Sequence, residues 1–349
     1  MLQMPKERTM KTIVAIILLC CGSGIFLGQP AADAAEGRVM MFGDSLRLGR
    51  PFAKDPCVLK LGGRYLLYYS TAPYDKTLAP PGASKGWAIG IAESTNLIDW
   101  KKVAEILPEQ ECEKNGLVNG RAILLGGKVH FFYNTYGNGK LDAICHAVSD
   151  DGLLFRRNPT NPIIRATGNW NSGRGIDCDV IEHGSKLLLY FATRDPSMKV
   201  QMLVAAAADR HSDFGRSAWK QLGDGPVLKP ELPWETKCIE APAPVRHDGK
   251  IYLFYGGGYN NDPQQIGCAV SDDGLRFTRL FVERPLLPHG KPGEWNSSES
   301  GHPGIFVDDD GQTYMFYQGN PDHGRTWFLS WVKLGWKDGK PHIIGRHCE

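Results

Sequence analysis

"GKIYLFYGG", residues 249–257, is one of five similar stretches in which glycine or small polar residues precede an aromatic-rich strand. The other four are "GRYLLYYST" from 63, "GKVHFFYNT" from 127, "SKLLLYFAT" from 185 and "GQTYMFYQG" from 311. Their starts lie 64, 58, 64 and 62 residues apart. Because self-similarity at a regular spacing indicates a repeat architecture, these stretches decide the fold.

A second pattern follows each aromatic stretch. Its five versions are "AIGIAESTNLIDWKK", "AICHAVSDDGLLFRR", "QMLVAAAADRHSDF", "QIGCAVSDDGLRFTR" and, more loosely, "TWFLSWVKLGWKDG". Each repeat therefore supplies four strands, and no helical period competes with them. Four-stranded units repeated radially form a β-propeller, so the sequence predicts an all-β, five-bladed β-propeller with four antiparallel strands per blade. A helical solenoid is disfavoured by the β-branched and aromatic content, and a long β-sandwich would not repeat five times.

The first 34 residues have the features of an export signal. Three basic residues precede an apolar stretch at 13–27, and small residues suited to cleavage lie near Ala34. The interruption at 22–24 and the short length argue against a membrane span. A lipoprotein anchored at Cys21 is the less favoured alternative, because Cys20 is a poor fit to the residue expected before it. We predict a signal peptide at 1–34 and a single domain at 35–349, secreted or periplasmic, without membrane insertion after cleavage.

Composition excludes several partner classes. The formal net charge is +2 and the basic residues are scattered, which argues against nucleic acid and favours an uncharged ligand. Seven cysteines follow the predicted signal peptide without a CxxC pair, so neither structural zinc nor a dense disulfide framework is expected. We predict that most of these thiols are buried as small hydrophobic groups.

The first strand of each propeller blade lines the central channel, so residues at the starts of these strands converge. Counting back nine or ten residues from the first hairpin of each repeat reaches a polar residue every time. These residues are Asp55, Asn119, Asp177, Glu240 and His302. Carboxylates crowded together split their pKa values, so one can stay protonated near neutrality and act as a general acid beside an anionic base. The alternative for each carboxylate is a structural role, in which it caps a strand or links two blades through hydrogen bonds to backbone amides.

The order of these motifs resembles glycoside hydrolase family 43 over roughly residues 45–335. The matching motifs are "DP" at Asp55, "IDCD" from 176, "EAP" at Glu240 and "GHP" at His302. The resemblance implies that Asp55 is the general base, that Asp177 tunes pKa and holds the sugar, and that Glu240 is the general acid. It also implies that His302 lies under the site near a water-coordinated calcium ion in the central channel, with no other cofactor required.

The second-blade motif departs from this resemblance. "NGRAIL" stands there, so Asn119 and Arg121 are expected to contact substrate. Asp179 points the same way as Asp177 on a strand and is an alternative for its role. Trp234 and Trp295 are expected near the pocket rim, where they would stack on sugar rings, although packing between blades is equally compatible with their positions. The acidic clusters "SDDG" and "DDDG" are expected to be hairpin turns.

The expected function is that of a secreted, exo-acting glycosidase that hydrolyses plant or algal polysaccharides or their oligosaccharides with inversion. Carboxylates facing each other across a channel suit the wide spacing of about 6.5–9.5 Å that inverting enzymes need. One alternative is a β-mannoside-type phosphorylase, whose sequences are resembled by "NPIIRATGNW", "GPVLKPELPW" and "RPLLPHGKPGEW". The other is a carbohydrate-binding propeller without catalytic activity.

Overall fold

The computed structural model describes residues 38–344, which contain twenty strands. The strands make five antiparallel sheets of four strands each, so the predicted five-bladed β-propeller is confirmed. The only helices in this part of the chain are four turns of 3₁₀ helix, and none of them is long enough to cross a membrane. The predicted signal peptide, Cys20, Cys21 and Cys348 lie outside the described residues.

The blades follow one another along the chain, each running from its innermost to its outermost strand. Blade 1 contains β1 (Lys54–Leu61), β2 (Arg64–Thr71), β3 (Ala88–Ser94) and β4 (Lys101–Ile106). Blade 2 contains β5 (Leu117–Leu125), β6 (Lys128–Thr135), β7 (Ile144–Ser149) and β8 (Arg156–Arg157). Blade 3 contains β9 (Ile176–His183), β10 (Lys186–Arg194), β11 (Gln201–Asp209) and β12 (Lys220–Leu222). Blade 4 contains β13 (Ile239–His247), β14 (Lys250–Gly257), β15 (Gln265–Ser271) and β16 (Thr278–Arg279). Blade 5 contains β17 (Glu299–Val307), β18 (Thr313–Asn320), β19 (Phe328–Lys337) and β20 (Lys340–Ile344).

Turn chemistry explains why each blade begins with a tight hairpin. Gly62 and Gly63 join β1 to β2 with φ of 60° and 78°, the backbone that a two-residue type I′ hairpin requires. The "SDDG" clusters are turns, as predicted. In the first of them Asp151 Oδ1 accepts the backbone N–H groups of Leu153 and Leu154 at 2.8 and 2.9 Å. The carboxylate is therefore engaged by its own loop.

The ring is closed by the N-terminal segment of the described chain. Phe42 bridges Leu329 of β19, and Phe52 bridges Trp327 just before that strand. In blades 2, 3 and 4 the corresponding third strand is bridged by the linker that follows the same blade, as in the pairing of Leu203 with Leu228. The N-terminal segment thus occupies in blade 5 the position that linkers occupy elsewhere.

Interlocking of the sheets buries the aromatic strands and most cysteines. The side chain of Tyr133 on β6 and that of Phe191 on β10 are fully buried. Five of the six described cysteines are buried, Cys112 is half-buried and all six are free thiols, which confirms the predicted role of these thiols as small core residues.

Candidate active site

Every inner strand starts with a β-bulge at the mouth of the central channel. The register of each shifts there, and one residue in each adopts a left-handed backbone. These residues are Asp55 (φ 55°), Asn119 (48°), Asp177 (51°), Ala241 (50°) and His302 (45°). Counting along the repeat therefore located four of the five, but in blade 4 it missed by one, since Glu240 precedes the left-handed residue. Such backbone costs about 1–3 kcal/mol per residue, and bulges of this kind re-aim side chains near active sites.

Hydrogen bonds between neighbouring blades hold four of these bulges. In each case a side chain of the preceding blade accepts the backbone N–H of the left-handed residue. The acceptors are Gln318 Oε1 for Asp55 (3.0 Å), Ser70 Oγ for Asn119 (2.8 Å), Asn134 Oδ1 for Asp177 (3.0 Å) and Gln264 Oε1 for His302 (3.0 Å). Because the donors are buried, leaving one unpaired would cost about 1–3 kcal/mol. The ring of blades thereby fixes the orientation of the residues that line its mouth.

His302 lies between two of the predicted carboxylates. Its Nδ1 is 2.7 Å from Asp55 Oδ1 and its Nε2 is 3.1 Å from Glu240 Oε1. Glu240 also accepts hydrogen bonds from the amide groups of Gln264 (2.6 Å) and Gln201. All three ionisable side chains are less than 10% exposed. Asp55, His302 and Glu240 thus form one buried row of ionisable groups in contact across the channel mouth.

The protonation of the site follows from this row. Burial would raise the pKa of Asp55, but the charge of His302 and its contact hold that pKa well below its usual range. Burial would also raise the pKa of Glu240, but hydrogen bonds from His302 and Gln264 keep that pKa low. Burial raises the pKa of Asp177, and the neighbouring charge of Glu240 raises it further. Asp177 and Glu240 therefore titrate as a pair that retains a proton more strongly than an ordinary carboxyl group.

A cavity of about 240 Å³ opens over this row, and Asp55, Asp177, Glu240 and His302 all line it. Asn119 is buried beside them and donates to Asp177 Oδ1 at 3.3 Å, while its own Oδ1 has no hydrogen-bond partner within residues 38–344. The structure therefore brings together all five residues reached by counting along the repeat.

Sequence reasoning missed other residues that line the same cavity. They are the aromatic residues Tyr136 and Tyr259 and the basic residues Lys54, Arg174 and Arg194. Trp87, whose place between two strands made it a candidate for stacking on a sugar, lines the cavity as well. Tyr136, Arg194 and Tyr259 stand at or just after the ends of the aromatic strands of blades 2, 3 and 4. Because these strands run antiparallel to the inner strands, their ends meet the starts of the inner strands at one edge. The residues at the end of each aromatic strand could therefore have been predicted to line the site.

The two tryptophans expected at the rim lie elsewhere. Trp234 stacks on Tyr255 with ring centroids 6.0 Å apart and packs in the core between blades 3 and 4. Trp295 packs against Tyr317 at 5.5 Å and lines a separate cavity between blades 4 and 5. Neither residue lines the cavity over Asp55 and Glu240. Their positions correspond to the packing alternative.

Arg121 and Asp179 lie beneath the cavity, where the family resemblance implies a calcium ion. The Arg121 side chain is 3% exposed and donates to the carbonyl oxygens of Pro56 and of Pro303, the latter at 2.7 Å. Its Nε is 3.3 Å from Asp179 Oδ2. A guanidinium thus engages the backbone oxygens immediately beyond two of the bulges. Calcium needs six to eight oxygen ligands, and this group offers N–H donors and a positive charge in their place.

The remaining groups do not fit a resident metal ion either. Both ring nitrogens of His302 face carboxylates. Ligand atoms of Asp177, Glu240 and His302 lie within 4.8 Å of one another, but both oxygens of Glu240 already accept amide N–H groups. We therefore derive no chemical step through a metal.

Comparisons with known proteins identify the family of this chain. The family model described as "Glycosyl hydrolases family 43" matches residues 48–341. The chain is 38% identical over 96 residues to a xylosidase/arabinosidase 43A from Humicola insolens, which covers 27% of this chain and 26% of that protein. It is 29% identical over 124 residues to a beta-xylosidase from Xylanibacter ruminicola, covering 35% and 34% of the two chains. It is also 29% identical over 134 residues to a beta-1,2-mannobiose phosphorylase from a Thermoanaerobacter species, covering 34% and 42%. The matched regions thus span less than half of each curated relative.

Solved structures share the fold over most of the chain. A thermostable family-43 glycoside hydrolase superposes with a TM-score of 0.66 at 22% identity, covering 84% of this chain and 93% of its own. The beta-fructofuranosidase BmSUC1 from Bombyx mori gives a TM-score of 0.65 at 17% identity, covering 88% and 65%. At these identities the likeness concerns the fold alone. Since the family model spans nearly the whole described chain and the motif order agrees with it, this protein belongs to family 43 of the glycoside hydrolases.

Proposed function

We propose that this protein hydrolyses a glycosidic bond at the end of a plant or algal polysaccharide or oligosaccharide, in one step and with inversion. Asp55 takes a proton from the attacking water, whose oxygen bonds to the anomeric carbon. Glu240 gives its proton to the leaving oxygen as the bond to that carbon breaks. Asp177 positions the sugar and shares a proton with Glu240. At the end Asp55 carries a proton and Glu240 has lost one, so exchange with solvent restores the starting state.

One observation carries the proposed stereochemistry. Asp55 and Glu240 contact opposite nitrogens of one imidazole, at 2.7 and 3.1 Å. The two carboxyl groups are therefore separated by both contact distances and by the width of the imidazole ring. Retaining enzymes hold their carboxyl groups about 5–5.5 Å apart, whereas inverting enzymes need about 6.5–9.5 Å to admit water. The arrangement therefore supports the wider spacing of an inverting enzyme.

Other features support the remaining parts of the proposal. Arg121 joins blades 1, 2 and 5 beneath the bulges, and a pocket that this side chain blocks suits a chain end better than a chain interior. The unpartnered Asn119 Oδ1 offers an acceptor for a sugar hydroxyl. Trp87, Tyr136 and Tyr259 supply apolar faces for sugar rings. Secretion rests on the predicted export signal, whose residues are removed before the protein reaches a polysaccharide.

A product analysis tests this function directly. Purified residues 35–349 would be incubated with aryl glycosides and with plant and algal oligosaccharides, and the anomer first released would be identified by NMR. The expected result is free sugar with the configuration opposite to that of the substrate. Retained configuration would overturn inversion. If no substrate on a broad panel is cleaved but sugar binding is measurable, the carbohydrate-binding alternative would be favoured.

Phosphorolysis remains a second candidate because a phosphorylase is among the curated relatives and basic residues line the cavity. Parallel incubations with inorganic phosphate distinguish the two reactions. A sugar phosphate that forms only when phosphate is present would identify phosphorolysis.

Asp177→Asn should move the alkaline limb of the kcat/KM profile to lower pH. The ionised Asp177 disfavours ionisation of Glu240, so a neutral amide lets Glu240 lose its proton more readily. The acid form of the site then disappears at lower pH. Glu182→Gln, a substitution on the same strand at the surface ion pair with Arg210, serves as the control and should leave the limb in place. A limb that stays put or moves to higher pH in Asp177→Asn would rule out this coupling.

A further inference from the structure

Three basic side chains line the active-site cavity, and two of them lack a carboxylate partner. Arg174 is paired with Asp142 at 3.0 Å. Arg194 donates from Nε to Gln201 Oε1 at 2.7 Å and lies over the ring of Tyr259. Within residues 38–344 no carboxylate comes within ion-pair distance of Arg194. The hydrogen bond of Arg194 uses only Nε, so its two terminal nitrogens keep their donors.

The second cation is Lys54, which precedes Asp55. Its ammonium donates to Asn260 Oδ1 at 2.6 Å and lies 4.3 Å from the centre of the Trp327 ring. It too has no carboxylate within ion-pair distance in the described part of the chain. Its direct contacts are therefore a neutral amide and an aromatic face, and carboxylates act on it only from a greater distance.

This arrangement differs from that of several other enclosed guanidinium groups. Five of them pair with a carboxylate: Arg47 with Glu105, Arg121 with Asp179, Arg157 with Glu113, Arg174 with Asp142 and Arg279 with Glu235. A charge withdrawn from water without a counter-ion is unfavourable. The half-buried Arg50 and Arg165 also lack a carboxylate partner, but their guanidinium groups donate to backbone carbonyl oxygens. Arg194 differs from them because its two terminal nitrogens make no hydrogen bond within residues 38–344.

Both cations are next to the same short segment and close to the reacting groups. Tyr259 and Asn260, which contact Arg194 and Lys54 respectively, are consecutive residues between β14 and β15. Gln201 accepts a hydrogen bond from Arg194 and donates one to Glu240. Arg194 therefore lies one side chain away from the general acid.

We propose that Arg194, assisted by Lys54, binds an oxyanion group of the substrate, namely the carboxylate of a uronic acid next to the scissile bond. A guanidinium binds planar carboxylates and phosphates through paired N–H donors, and the terminal nitrogens of Arg194 have these donors available. Inorganic phosphate offers the same chemistry and would be bound there in phosphorolysis. The inference rests on the proposed function and changes the expected substrate class from neutral to acidic sugars. The low net charge of the chain does not reveal it, because only two local cations are involved.

A simpler role is open to Lys54, whose charge also favours ionisation of Asp55 and of Glu240. If that were its whole role, Lys54→Met would impair neutral and acidic substrates equally. Recognition of an oxyanion instead predicts a change in the ratio between them. Arg194→Met is the sharper variant, because it removes the cation and keeps an unbranched side chain of similar length.

The test compares para-nitrophenyl glycosides of neutral sugars with those of the corresponding uronic acids, with and without phosphate. Wild type should show a kcat/KM about 10- to 100-fold higher on the uronic acid glycosides, the range that one charge-assisted hydrogen bond supplies. Arg194→Met should abolish that preference, and Arg156→Met, at an exposed position on β8, should keep it. Equal rates on both substrate classes, unchanged in Arg194→Met and without a phosphate effect, would overturn the inference.

Binding of single sugars separates this inference from the proposed function. Calorimetry would compare glucuronic acid, glucose and inorganic phosphate on wild type and on Arg194→Met. Tighter binding of glucuronic acid than of glucose, lost in the variant, supports the carboxylate even if no glycoside is cleaved. Phosphate binding that the variant loses, together with a sugar phosphate product, assigns the oxyanion to phosphate. Cleavage of neutral glycosides with no preference for either anion refutes the inference and leaves the hydrolase in place.

Discussion

Glu240→Gln is expected to lower kcat by about 10²- to 10⁴-fold on substrates with a poor leaving group, the range that general acid catalysis contributes. The amide keeps the shape of the side chain but has no proton to give to the leaving oxygen. The loss should shrink on dinitrophenyl glycosides, because a leaving group of low pKa departs without protonation. Steady-state kinetics on a series of aryl glycosides with increasing leaving-group pKa measures this dependence.

Asp55→Asn provides the matched comparison for that experiment. It removes the group that accepts the proton of water, a step that every substrate needs, so its loss should be similar across the whole series. The two carboxylates lie on either side of His302, and each variant keeps a hydrogen-bonding side chain there. A Glu240→Gln variant with equal losses on good and poor leaving groups would exclude Glu240 as the general acid. Circular dichroism of both variants would verify the fold.

The propeller could be predicted because its determinants are local and recur five times. Aromatic strands bury their side chains, and paired glycines such as Gly62 and Gly63 supply positive φ for the hairpins, so each repeat carries its own instructions. The bulges were harder to predict. A bulge inserts a residue into one strand only, so counting from the hairpin in blade 4 reached Glu240 although Ala241 has the left-handed backbone. Counting fixes strand positions and does not reveal where an insertion lies.

The positions of the tryptophans show a second limit. Trp234 lies only six residues before Glu240, yet its 3₁₀ turn is held in the body of blade 4 because Glu235 accepts hydrogen bonds from Tyr255 at 2.8 Å and from Arg279 at 2.8 Å. The chain then crosses the blade before it reaches the channel. Nearness in sequence therefore did not imply nearness to the site.

The position of Arg121 could not be predicted for a similar reason. Its side chain leaves the bulge of blade 2 and contacts backbone oxygens of blades 1 and 5, and such contacts depend on how the ring closes. No pattern within a single repeat encodes them. The expectation that Arg121 contacts substrate came from its place in the second-blade motif, whereas the folded chain puts it under the cavity.

Arg121→Met should lower the free energy of unfolding by about 3–5 kcal/mol, the usual cost of breaking a buried ion pair from one side. Asp179 would keep its half-buried carboxylate without a counter-charge, and the carbonyl oxygens of Pro56 and Pro303 would lose their donor. Denaturation in urea measures the change. Arg156→Met, an exposed arginine on β8, is the control and should stay within about 0.5 kcal/mol of wild type.

The pH dependence of that loss identifies its cause. Burial raises the pKa of Asp179 to about 6, although Arg121 opposes the shift. Without the guanidinium this pKa rises further, so the variant gains a proton that relieves the uncompensated charge as pH falls. The deficit relative to wild type should therefore be largest above neutral pH and smaller near pH 5, and adding Asp179→Asn should recover part of it at high pH. A deficit independent of pH would locate the damage in packing.

Chelation tests whether Arg121 or a metal ion supplies the positive charge beneath the cavity. Because Arg121 already donates to the channel oxygens and carries the positive charge, EDTA should leave the urea midpoint of wild type unchanged, and calcium should not rescue Arg121→Met. A wild-type midpoint that falls with EDTA and recovers with calcium would mean that a metal ion, and not Arg121, is the cation on which these blades depend.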